Sequence, residues 1–364
     1  MTLKQLLSSL SFILLPCVSI AQGQEGKFTV NGYLETYYIY DFEKPDNHIR
    51  SPLFYAYNRH NEVTLNLGYL RGAYESSKVR GELALMTGTY ANANLAAEEG
   101  VLKNLYLANA GVRLSQKYDF WIDAGVFNSH IGFESAEGGD CLTMTRSLMA
   151  ENSPYYESGV KLSYTSPNEK WFLSALVLNG WQRIGRVDGN NTPAGGHQIT
   201  FSPSKNISIN SSSFVGSDTP DEDRRMRYFH DLYGIFQFSE KMTLIVGFDV
   251  GAQQEQKGSS KYDLWYAPII VGSYQMNKQF RLTGRVEYYD DQDLVIIPQS
   301  IGAAEVQTLG YSLNLDYSPY PNVLWRLEGR GLYDHNDPFI KNGTASSYNF
   351  FVGTSLGVSF GKVL

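Results

Sequence analysis

The sequence is short of cysteine, of basic charge and of long apolar runs, and each shortage closes off a class. Two cysteines among 364 residues cannot staple a disulfide-built domain, and Cys141 alone remains once the N-terminal segment is removed. Thirty basic residues against 37 acidic ones, with no basic stripe, argue against a nucleic-acid partner. Past the N-terminus no apolar stretch is long enough for a membrane helix. The histidines (His48, His60, His130, His197, His230 and His335) never fall at metal-ligand spacing, so neither a metal nor any other cofactor is expected.

Plentiful instead are glycine, 34 residues, and aromatics, with 26 tyrosines and 19 phenylalanines. The last stretch shows how they are used. Tyr348, Phe350, Val352, Thr354, Leu356, Val358 and Phe360 alternate with Asn349, Phe351, Gly353, Ser355, Gly357, Ser359 and Gly361. Successive side chains of a strand point to opposite faces, so one face is apolar and the other small and mostly polar. A strand this long with a face this bare suits a transmembrane barrel, lipid outside and water inside. On that parity Leu356 and Val358 face lipid and Ser355 and Ser359 face the lumen, where arginine is expected to be tolerated. Phe360 resembles the terminal aromatic signal read by the barrel-assembly machinery.

Residues 1–21 read as a secretory leader, with Lys4 for the charged region, an apolar core from Leu6 to Val18, and Ser19-Ile20-Ala21 as the cleavage site. Cys17 raises a lipoprotein alternative, but Pro16 sits where a small residue is wanted. The exported part, 22–364, then forms one domain. From Phe28 onward long alternations are joined by connections that are short, then long, then short. Short turns carry Ser, Pro, Asn and Lys, as at Ser76-Ser77-Lys78 and Ser318-Pro319-Tyr320-Pro321-Asn322. Long connections fall near 41–59, 90–102, 128–154, 182–194, 216–227, 252–261, 290–305 and 334–346. Seven short turns and eight long loops join sixteen strands. The expected fold is therefore all-β, an antiparallel up-and-down transmembrane barrel of about sixteen strands. Both termini then lie on the short-turn, periplasmic side of the outer membrane of a Gram-negative bacterium. The segment 195–201 is weakly patterned, and Pro268 interrupts the alternation of 262–276. Sandwiches and propellers have shorter strands and lack the loop asymmetry.

The middle of the chain is specific in wording. It reads Trp-Ile-Asp-Ala-Gly-Val-Phe from Trp121, then Asn128-Ser129-His130-Ile131-Gly132-Phe133-Glu134-Ser135, and later Ala150-Glu151-Asn152-Ser153-Pro154-Tyr155-Tyr156-Glu157-Ser158-Gly159. Together with Gly32-Tyr33-Leu34-Glu35-Thr36-Tyr37-Tyr38, this resembles the OmpL-like group of β-barrel porins of Gram-negative outer membranes. The resemblance implies a barrel with pore activity; it carries over neither a substrate nor a catalytic motif.

The wet faces supply pore-lining candidates: Arg80, Glu82, Arg113, Asp123, Arg281, Arg285, Arg326 and Arg330, with Lys161 among the further charges. Both signs are balanced, so no strong ion selectivity is expected from the wall alone. Arg281, Arg285, Arg326 and Arg330, on strands 13 and 15, read as a basic ladder; the plainer alternative is that such charges only keep the lumen wet and the strands in register. The longest connection, 128–154, combines Ile131, Phe133, Leu142, Met144, Leu148 and Met149 with Glu134, Glu137, Asp140, Glu151 and the single cation Arg146. That is too apolar for an exposed or disordered loop; it is expected to fold inward as the constriction, the alternative being an outward cap packed on neighbouring loops. Aromatics such as Tyr155, Trp181, Tyr228 and Tyr288 gather at the long-loop end, and Trp171 and Tyr320 at the other, as two girdles.

The expected function is passive diffusion of small hydrophilic solutes, with outer-membrane lipid and a possible second copy of the chain as partners. One alternative is a barrel plugged by its loops that binds partners or serves structure. The other is a lipid hydrolase, which needs a serine and a histidine together on the outer wall; the adjacent Ser129-His130 lacks an orienting third group.

Overall fold

The computed structural model describes residues 26–297, 303–341 and 343–364; the expected leader, 1–21, lies outside them. Sixteen strands form one closed antiparallel barrel. In chain order they are β1 (Gly26–Asp41), β2 (Val63–Ser76), β3 (Val79–Thr87), β4 (Leu105–Arg113), β5 (Asp119–Asn128), β6 (Tyr156–Thr165), β7 (Trp171–Leu178) and β8 (Ala194–Ser204). They continue with β9 (Ile207–Gly216), β10 (Arg227–Gln237), β11 (Met242–Gln254), β12 (Tyr262–Gln275), β13 (Phe280–Asp291), β14 (Val306–Tyr320) and β15 (Val323–Tyr333). A small hairpin in the last loop, β16 (Phe339–Lys341) and β17 (Thr344–Ser346), precedes β18 (Tyr348–Val363).

Each barrel strand pairs with its chain neighbours, and β18 closes the ring on β1, with Leu34 opposite Val358 and Asp41 opposite Phe351. Closure leaves no sheet edge, which is what allows a sheet to sit in hydrocarbon. The two weakly patterned segments are ordinary strands. Residues 195–201 lie within β8, and Pro268 within β12, where it faces Phe248 of β11. The β12–β13 ladder holds its register from Tyr266↔Asp290 to Ile269↔Glu287 but skips Ala267 and Pro268. Lacking an N–H, proline costs a rung without shifting the strand.

Parity sorts the wall as the alternation requires. Leu34, Val246, Leu313 and Leu356 stand exposed on the outside, while Glu35, Asp249, Asn314 and Ser355 are buried inside. The lumen departs from the expectation of an aqueous bore throughout. In its long-loop half, inward side chains such as Tyr37, Ile39, Phe214, Trp265, Ile269 and Phe351 pack with loop residues Phe54, Tyr57, Leu95, Met144 and Leu148 into one buried core. Eight long connections over one mouth carry enough apolar surface to fill it, and burying that surface drives them inward.

This filling corrects one expectation at Ser355. It does point inward, but it is 2% exposed and lies opposite Arg326 in the β15–β18 register. An arginine there would meet a like charge in space without water. Ser359, two pleat repeats closer to the short-turn end, lines an open cavity. Leu356→Arg should therefore lower folding stability in bilayers by about 2–4 kcal/mol, while Ser359→Arg should fold like the parent. Equal losses in denaturant titrations of the two variants would refute the parity.

Candidate functional site

The loop that follows β5, residues 129–155, crosses the lumen. It leaves between β5 and β6 and docks on β13, β14 and β15, on the far side of the sixteen-strand ring. Hydrogen bonds of both polarities hold it there. Its backbone N–H groups are taken by wall acceptors: Met144 donates to Asn314 Oδ1 at 3.0 Å, Thr145 to Glu328 Oε2 at 2.6 Å and Leu148 to Glu287 Oε2 at 2.6 Å. Its carbonyls are taken by wall arginines. Arg326 donates to Gly138 O at 2.7 Å and Cys141 O at 2.8 Å. Arg285 donates to Thr145 O at 2.7 Å and Arg330 to Arg146 O at 2.8 Å. Buried polar backbone must be paired, and here the barrel wall does the pairing.

Arg285, Arg326 and Arg330 therefore do not stand as an open basic ladder. They are no more than 2% exposed, covered by the loop they hold, and paired with carboxylates of the same wall: Arg330 with Glu287 at 2.6 Å, Arg285 with Glu328 at 3.1 Å and Arg326 with Asp316 at 2.8 Å. Only Arg281, bound to Asp316 at 2.5 Å and to Cys141 O at 3.3 Å, borders free space. It lines a cavity of about 790 Å³ on the short-turn side of the loop, together with Asp140 and Ser359. Arg80, Glu82 and Asp123 line a second cavity, of about 390 Å³, on the β2–β7 wall. Arg113 lies at the end of β4 beside the turn, 3.7 Å from Asp119, and borders neither of these cavities.

Within the loop, Arg146 is the internal clasp, donating to Ser135 O, Ala136 O and Met144 O at 2.6–3.0 Å. Glu134 accepts from the Ser147 N–H at 2.9 Å and from its hydroxyl, which draws the two ends of the segment together. Glu137 accepts the Tyr69 hydroxyl at 2.6 Å; burial raises its carboxyl, and that hydrogen bond offsets part of the rise. Glu151 accepts the N–H groups of Tyr55 and Ala56, from the first long loop, at 2.9 and 3.1 Å. Burial pushes its carboxyl up to about 7 against the pull of those two donors. These carboxylates thus face mainly backbone donors and a tyrosine, with Glu134 also 3.9 Å from Arg285 of the wall.

Ser129 and His130 do not form a pair. His130 bridges Glu157, at 2.7 Å, and the Ser213 carbonyl, at 2.8 Å. Burial alone would lower its pKa, but the Glu157 carboxylate outweighs that and leaves it raised. The outer wall does bring serine and histidine together: Ser213 Oγ is 2.6 Å from His197 Nδ1, and Ser211 Oγ 3.0 Å from His230 Nε2. Among the described residues neither imidazole has a partner on its other nitrogen, so the orienting member of a catalytic triad is missing.

A closed sixteen-strand barrel with an apolar outer belt and an inward-folded third loop is the architecture of an outer-membrane porin. The family described as "Putative beta-barrel porin-2, OmpL-like" matches residues 27–360. The chain belongs to that family, and its place is the Gram-negative outer membrane. Among solved structures it is similar to in-vitro folded OmpT, an outer membrane protein of Vibrio cholerae, at 11% identity and a TM-score of 0.59, covering 92% of this chain and 98% of that one. The outer membrane channel DcaP of Acinetobacter baumannii gives 13% and 0.60, covering 92% and 97%. An anion-selective porin from Comamonas acidovorans gives 9% and 0.59, covering 92% and 100%. At these identities the likeness is one of fold. No curated protein matches the sequence.

Proposed function

We propose that this porin passes small hydrophilic solutes and that the crossing loop is its constriction, seated here in a closed arrangement. What carries the reading is the docking itself: one segment spans the lumen, and its hydrogen bonds to β13–β15 are made with side chains rather than with the sheet ladder. Its release would leave a solvated wall of arginines and carboxylates and an intact barrel. The pore-lining role of Arg80, Glu82, Asp123 and Arg281 belongs to this proposal, as do lipid around the belt, insertion by the barrel-assembly machinery and assembly with further copies. One structural neighbour is described as a trimer form.

The buried core of the long-loop half favours a second reading, a permanently plugged barrel that binds partners through its loops. Planar-bilayer recordings separate the two. Discrete conductance steps from the purified parent chain support the channel. A silent parent, with steps only from a variant lacking the loop tip, supports the plugged barrel.

A further inference from the structure

A polar patch interrupts the apolar outer face of the barrel on β8, β9 and β10. It consists of His197, Ser211, Ser213 and His230, with Ser213 opposite His197 on one side and His230 on the other. All four follow the outward parity of Ile199, Ile209 and Leu232, which stand exposed. Ser213 Oγ lies 2.6 Å from His197 Nδ1 and Ser211 Oγ 3.0 Å from His230 Nε2, and the two ring centroids are 6.5 Å apart. Each imidazole thus spends one nitrogen on a serine. Among the described residues no hydrogen bond or ion pair reaches the other, His197 Nε2 or His230 Nδ1.

Acyl chains neither donate nor accept hydrogen bonds, so a polar group turned into them loses what water would supply. Histidine is accordingly rare on a membrane-facing surface and marks a place where a partner is due. Headgroups are not that partner, because apolar side chains bound the patch along the strands. Val215 and Tyr228 stand towards the long loops, at 41 and 45% exposure, and Ile209 and Leu232 towards the short turns. A second copy of the chain fits the requirement. Copies of one barrel settle at one depth in the bilayer, so their patches come level without further adjustment. An imidazole presents its free nitrogen as donor or as acceptor according to tautomer, so the patch is complementary to itself, as a twofold contact requires. Ala175, opposite His197 on β7, and the two serines keep the surface low enough for the backbones to approach.

We propose that two copies of this chain meet through the β8–β10 wall, about a twofold axis along the membrane normal, each patch supplying the hydrogen bonds the other lacks. The proposal rests on the assembly with further copies proposed above and is tested without conduction. In sedimentation of the detergent-folded full chain the parent should run as a dimer. The double variant His197→Leu/His230→Leu should self-associate roughly tenfold more weakly, or weaker still. Because it only makes a lipid-facing surface more apolar, that variant should fold at least as stably as the parent. Ser213→Cys, at the centre of the patch, should give a disulfide-linked dimer when outer membranes are treated with a mild oxidant; Cys141 is buried and does not compete. Leu313→Cys, outward on β14 and 59% exposed, should give none. A folded double variant that associates like the parent, or crosslinking at Leu313→Cys alone, would move assembly to another face and overturn this one. A monomeric parent would overturn both the face and the assembly. A dimeric parent that passes no current would count against the channel reading alone.

Discussion

Deleting Ser135–Met149 should raise single-channel conductance several-fold and leave the barrel assembled. The segment supplies Met144, Leu148 and Met149 to the buried core and the carbonyls that occupy Arg285, Arg326 and Arg330. Without it those arginines keep Glu328, Asp316 and Glu287 on their own wall and gain water. Stripping one partner from a buried ion pair costs about 3–5 kcal/mol when the other stays dry, but a charge that becomes solvated escapes most of that penalty. The Glu134 carboxylate reaches Ser147, three residues before the other cut end at Ala150, so a Gly-Ser join of several residues is used to span the gap. None of the removed residues belongs to a barrel strand. A variant that inserts normally and conducts like the parent would show that the segment does not limit flow.

What the sequence could and could not disclose follows from how far apart the interacting groups lie. Strand parity and strand number are local properties: apolar belts alternate with small or polar residues, and turns of Ser, Pro, Asn and Lys punctuate them, so the barrel is legible. That Ile131, Met144 and Leu148 must be buried is legible too, in a segment otherwise polar; that they are buried in the lumen rather than under an outward cap is not. The partners of the arginines are not. Arg285, Arg326 and Arg330 bind backbone carbonyls, which every residue carries and no sequence advertises. Nor does the pairing of His197 with Ser213 leave a sequence signal, because it depends on register between strands. A trace of the filled lumen was present in β12. Its run Leu264-Trp265-Tyr266-Ala267-Pro268-Ile269-Ile270-Val271 is apolar on both faces, which in a sheet means that both faces are covered.

Alkaline conditions should loosen the loop and acid should seat it. Glu151 joins the crossing loop to the first long loop through Tyr55 and Ala56, with Arg146 and Arg330 the cations that act on it. Its carboxyl is raised by burial to about 7 from an ordinary value of 4.5. For an acid whose folded value is raised, the docked form is favoured while the group is protonated, and that advantage drains away as pH climbs from 4.5 through 7. The full swing is about 3 kcal/mol. His130, at the loop's entry, acts in the same direction. A histidine raised above its ordinary value stabilises below that value and loses its hold as pH rises through the folded one, here because a neutral ring can no longer donate to both Glu157 and the Ser213 carbonyl. The two contributions have the same sign. Open probability, or proteolytic cleavage within 129–155, should therefore rise from about pH 4.5 through 7 as Glu151 ionises, with His130 adding to the rise above pH 6.5. Glu151→Gln removes the buried charge but keeps an acceptor for the Tyr55 and Ala56 N–H groups. It should hold the loop seated at pH 8 and flatten the profile; a Glu151→Gln barrel that opens with pH as the parent does would rule out Glu151 as the main contributor.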